Sequence, residues 1–151
     1  FRRAIQPAAN AHLSARALGR YYATLEDGGV VPTSTNELVP GIFTNPKDKI
    51  HDAILGMGDY NDLILPSGSF GLGFHRIFAT DGSLIGFGHM GLGGATGYCD
   101  IKNHFAIGVT LNKCSSGGLT GEIIRFICSE LHLPLPHKYA VSSENTKPVF
   151  N

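Results

Sequence analysis

Between residues 70 and 131 the chain passes through four short β-like runs, each closed by turn residues, and then into a single amphipathic helix. The runs are residues 70–78, 84–89, 95–100 and 105–112, with the hairpin dipeptide Asp81-Gly82 after the first. In the last run Phe105, Ile107, Val109 and Leu111 alternate with Ala106, Gly108, Thr110 and Asn112. A period of two gives a strand one strongly apolar face, and that face needs a cover. Residues 119–131 supply it: Leu119, Ile123, Ile127 and Leu131 recur every four residues, with Ile124 and Phe126 beside them. Pro134 and Pro136 stop that helix. The order predicts an α/β (α+β) fold in which an antiparallel meander is backed by a C-terminal helix.

Upstream, Ser14 is placed to cap a helix over residues 14–27, where Leu18, Tyr21, Tyr22 and Leu25 fall at helical spacing and Gly28-Gly29 end the pattern. The Tyr21-Tyr22 pair reads as packing rather than as a binding platform. Residues 30–65 carry prolines at 32, 40 and 46 and lose periodicity, apart from a short helical piece over 50–57. That stretch reads as mostly loop, either a lid or binding segment or a plain surface connection. One compact unit is expected over residues 1–141, followed by a polar tail over 142–151.

Twelve basic residues balance twelve acidic ones, so no overall field draws nucleic acid or an anionic membrane. No apolar run reaches the roughly 20 residues of a membrane helix. The start, Phe1-Arg2-Arg3, reads as a cut or processed end. Cys99, Cys114 and Cys128 are odd in number and widely spaced, which argues against a disulfide framework and favours an intracellular, reducing compartment, cytoplasm or organelle, without fixing which. Cys128 reads as a small core side chain. The remaining histidines, His12, His51, His75, His104, His132 and His137, show no ligand spacing with Cys, Asp or Glu, so neither a metal nor another cofactor is expected.

The chemistry-bearing segment is Gly86-Phe87-Gly88-His89-Met90-Gly91-Leu92-Gly93-Gly94, in which glycines surround one histidine at the end of a strand. Glycines there signal close approach to the backbone and a strand edge open to an extended substrate. A His-x-Gly triplet on an inner strand, a glycine-rich turn, a strand ending Val109-Thr110-Leu111-Asn112 and an amphipathic last helix resemble the class C β-lactamase and D-alanyl-D-alanine carboxypeptidase superfamily. Residues 7–18, Pro-Ala-Ala-Asn-Ala-His-Leu-Ser-Ala-Arg-Ala-Leu, resemble that family's approach to the preceding helix. The likeness runs from about Pro7 to Pro136 and is nearest to plant proteins in which such a domain follows a UbiB-type kinase.

The resemblance implies part of a serine hydrolase fold of the penicillin-binding-protein type. His89 would then orient a substrate carboxylate, Gly91 would let an acyl group lie on the strand, and the Leu92 N–H would line an oxyanion hole. Met90 departs from the family's Ser or Thr and cannot supply a hydroxyl. No Ser is followed three residues later by Lys anywhere in the chain. Thr110 and Lys113 have the spacing but would point to opposite faces of a strand, and Tyr60-Asn61-Asp62 is a turn sequence rather than Tyr-x-Asn. The expected chain is therefore the C-terminal portion of an acyl hydrolase, inactive alone. Its implied partners are the missing N-terminal part of the same domain and a small acyl substrate. The alternative is a non-catalytic binding or interaction module derived from that fold.

Overall fold

The computed structural model describes residues 11–31, 39–65, 68–113 and 118–140; the polar tail, Cys114 and the segment before His12's neighbour Ala11 lie outside them. Helix α1 (Ala15–Glu26) begins where Ser14 Oγ accepts the Ala17 N–H at 3.2 Å, and it ends in a turn through Gly28 and Gly29, both with positive φ. Residues 39–65 are more ordered than their prolines suggest. Helix α2 (Lys47–Leu55) starts behind Pro46, closes on Gly56 in the left-handed conformation, and leads into a 3-10 turn over Gly58–Leu63. Its apolar residues Ile50, Ile54 and Leu55 are buried against α1, while His51 Nε2 meets the Leu25 carbonyl at 3.4 Å. The short helix expected within this stretch is present, beginning at Lys47 rather than Ile50 and followed by the 3-10 turn.

Four strands, β1 (His75–Phe78), β2 (Leu84–Met90), β3 (Thr96–Asp100) and β4 (Phe105–Val109), form one antiparallel sheet in sequence order. β1 is shorter than residues 70–78. Gly73 has a φ of 77°, its N–H turns back to the Gly71 carbonyl, and Phe70 returns to bridge His75. β2 pairs with β3 from Gly86↔Asp100 to Met90↔Thr96, and β3 with β4 from Thr96↔Val109 to Asp100↔Phe105. Between Ile77 and Phe78 the β1–β2 register shifts, leaving Ile85 as an extra residue in β2.

Each face of the sheet carries its own core. On one side Tyr22 and Leu25 of α1 and the apolar residues of α2 bury Phe87 and Cys99. α1 comes down backbone to backbone on β4: a Cβ at Gly108 would lie 2.6 Å from the Gly19 nitrogen and 2.7 Å from the Ala15 oxygen. An ion cluster fastens its far end, with Glu26 Oε1 at 2.9 Å from His104 Nδ1 and 3.4 Å from Lys47 Nζ. On the other side helix α3 (Gly118–Glu130) sets Ile124 and Cys128 over Ile77, Ile85 and Tyr98, with Phe105 and Ile107 half-buried against them.

The helix covers the sheet as expected, but through a different stripe. Thr120, Gly121, Ile124 and Cys128 are buried, whereas Leu119, Phe126 and Leu131 are exposed. The physical reason is polar: the Thr120 hydroxyl donates to the Gly94 carbonyl at 2.6 Å, and satisfying that buried bond sets the rotation of the helix.

Candidate functional site

β2 carries the glycine-framed histidine, and its glycines have a structural explanation. A Cβ at Gly86 would lie 1.9 Å from the Cys99 oxygen, and one at Gly88 would lie 2.3 Å from Tyr98 Cβ. What approaches these two positions is β3, not a ligand. β2 is flanked on both sides over most of its length, as an inner strand, so any open edge is confined to its end. β1 stops opposite Gly88, however, and beyond it His89 and Met90 pair only with Gly97 and Thr96 of β3 among the described residues. The edge opens at the histidine.

Several elements hold that open end. Thr96 Oγ1 donates to the His89 carbonyl at 3.1 Å and meets Tyr139 Oη at 2.9 Å. Tyr22, lying across Gly97, makes a hydrogen bond with the His89 backbone. Burial pushes the Tyr22 phenol well above its ordinary range, and the His89 backbone bond works against that rise without reversing it. Tyr22 is therefore a neutral hydroxyl here, a clamp rather than a base. The following turn closes through Gly91 N–H to the Ala95 carbonyl at 2.7 Å and Gly94 N–H to the Gly91 carbonyl at 3.0 Å. Leu92 at its tip is 98% exposed, and its N–H takes no part in the ladder among the described residues.

The His89 side chain is exposed, and Met90 beside it is exposed as well. Two aromatic neighbours join it. The His75 ring lies 4.8 Å from the His89 ring, and Phe70 stacks on His75 with centroids 3.7 Å apart and an interplanar angle of 34°. The sequence shows no ligand spacing around His75 and puts Phe70 in a continuous strand. Only the bend through Gly71 and Gly73 brings them to the end of β2. The other sequence candidates lie apart: Cys99 and Cys128 are buried free thiols in separate cores. Burial raises both thiol pKa values, that of Cys99 to about 12, so neither is a reactive thiolate. Among the described residues no three His, Cys, Asp or Glu side chains converge as a metal site, and no helix is long and apolar enough to cross a membrane.

This sheet, its C-terminal helix and the open strand end are compatible with part of a β-lactamase-like fold. Comparison with known proteins supports a relation to the β-lactamase-like hydrolases. The chain is 33% identical over 113 residues, 73% of its length, to the esterase/β-lactamase LipL of Mycobacterium tuberculosis (strain ATCC 25618 / H37Rv). It spans about a quarter, 24%, of the length of that relative. No family profile matches the chain, and no solved structure matches it.

Proposed function

We propose that this chain is the C-terminal part of a serine β-lactamase-like acyl hydrolase and supplies the wall along which an ester, amide or lactam substrate lies. The observation that carries the reading is the open end of β2, where His89, Met90 and Gly91 emerge past the last β1 pair and the Leu92 N–H stands outside the ladder. In the complete site a serine outside this sequence attacks the substrate carbonyl, and the tetrahedral oxyanion takes hydrogen bonds from Leu92 N–H and a second amide. His89 orients a carboxylate on the substrate, and Gly91 leaves room for the acyl group. The similarity to an esterase/β-lactamase supports this assignment. The finer kinship, with plant proteins joining such a domain to a UbiB-type kinase, rests on motif order alone.

Met90 favours a second reading, a binding module that keeps the wall without the chemistry, because a thioether stands where a hydroxyl donor would serve catalysis. One experiment separates them. The 151-residue chain is expected to hydrolyse neither a p-nitrophenyl ester nor a chromogenic cephalosporin and to take no label from a serine-directed acylating probe. The polypeptide isolated from its source is expected to carry the label on a serine outside this sequence. Label on a serine within the chain, with matching turnover, would overturn the division of labour; an unlabelled source polypeptide would establish the binding module.

A further inference from the structure

The glycine turn at the end of β2 is held from beneath by two threonine hydroxyls. Thr96 Oγ1 donates to the His89 carbonyl on the limb that enters the turn, and Thr120 Oγ1 donates to the Gly94 carbonyl on the limb that leaves it. Thr96 is 1% and Thr120 0% exposed, whereas His89, Met90, Gly91 and Leu92 face solvent. Each bond is built into the core. Burial keeps the Tyr139 phenol protonated, and because the Thr96 proton is committed to His89, Tyr139 donates to Thr96 Oγ1 at 2.9 Å. Thr120 sits in the first turn of α3, and its proton goes to a carbonyl 26 residues away rather than to its own helix. Between the two held carbonyls the turn has the backbone bonds Gly91 N–H to Ala95 O and Gly94 N–H to Gly91 O, and the Leu92 and Gly93 amides enter neither.

We propose that Thr120 is a positioning residue for the Leu92 N–H: by holding the Gly94 carbonyl it fixes the direction in which that amide points, without touching a substrate. The role of the amide rests on the hydrolase reading above, whereas the way the amide is held rests on these bonds alone. Gly91, Gly93 and Gly94 give the turn more conformational freedom than any other residue type would. A donor that stabilises developing charge is effective only if it is oriented before the charge appears, so such a turn needs an external anchor. Threonine is suited to that task because its branched Cβ leaves few χ1 rotamers and aims the hydroxyl narrowly. The bond that sets the rotation of α3 therefore also sets the direction of the Leu92 amide, and the two vary together.

The test compares Thr120→Val, which keeps the shape and removes the hydroxyl, with Thr120→Ser, which keeps the hydroxyl, by amide NMR and hydrogen exchange of the 151-residue chain. T120V is expected to shift the Leu92 and Gly93 amide signals and to lose about tenfold more exchange protection at Gly91 and Gly94 than at α1 and β4. T120S is expected to restore both. In the polypeptide isolated from its source, T120V is expected to lower kcat for a p-nitrophenyl ester about tenfold with KM unchanged, and T120S to recover most of it. Turn amides at their parental positions in T120V, a loss of protection no greater at the turn than elsewhere, or T120S as impaired as T120V would each overturn the proposal. So would a T120V polypeptide with KM raised and kcat kept. A source polypeptide that takes no serine label would overturn the hydrolase reading instead, and the turn amides would still decide whether Thr120 holds the Leu92 N–H.

Discussion

The two helices that enclose the sheet reach it by opposite means. α1 approaches through missing side chains: Gly19 sits over Gly108, and the Tyr22 ring fills the space above Gly97. α3 approaches through present ones, with Ile124 0% exposed and Cys128 beside it, and turns Phe126 out to 66% exposure. Close contact through glycine leaves no slack, because backbone atoms cannot move aside as side chains do. Contact through side chains tolerates small rearrangement, and a single polar bond then chooses which stripe faces inward.

The sharpest way to break this contrast is Gly108→Val. Its side chain would meet the backbone of α1 at Gly19 and Ala15, and we expect a loss of about 3 kcal/mol in urea-denaturation midpoint terms. A variant as stable as the parent would mean that α1 is not seated on β4. Ile124→Ala should cost nearly as much, about 2 to 3 kcal/mol, through the cavity it leaves. Ser14→Ala sharpens the α1 side by removing one capping acceptor, with an expected cost of about 1 kcal/mol measured by thermal melting. Smallest of all is Phe126→Ala, expected to change stability by less than about 0.5 kcal/mol in the 151-residue chain. If Phe126→Ala proved costlier than Ile124→Ala, the facing of α3 described above would be wrong.

That last pair also marks the boundary of what the sequence discloses. The α1 cap, the strand order and the existence of α3 were legible because each depends on local signals: a capping serine, alternation and helical periodicity. The facing of α3 was not, since Leu119, Ile123, Ile127 and Leu131 form a better apolar row than Thr120, Ile124 and Cys128. The bond from Thr120 to Gly94 spans 26 residues, and no local pattern announces it. The candidate site divides in the same way. His89 was marked by its glycines, although two of those glycines serve strand packing. His75 and Phe70 were hidden because their nearness depends on a bend at Gly71–Gly73 that interrupts an apparently continuous strand.

The extra residue in β2 has a consequence for how this strand tolerates change over evolutionary time. Strict alternation from Leu84 would send Phe87 to the α3 side; with Ile85 doubled against β1, Leu84 and Phe87 both join the α1 core and Ile85 the other. The bulge is thus a frame shift written into the strand, placed upstream of the histidine. Deleting Ile85 would restore perfect alternation with Leu84 and Phe87 still on the α1 side, and the loss would be that of one apolar anchor in the α3 core. A lineage that loses this residue therefore keeps the orientation of everything from Phe87 to Met90, whereas one that keeps Ile85 but irons out the bulge would turn either that segment or Leu84 over. The irregularity is what lets β2 feed both cores without rotating the end of the strand.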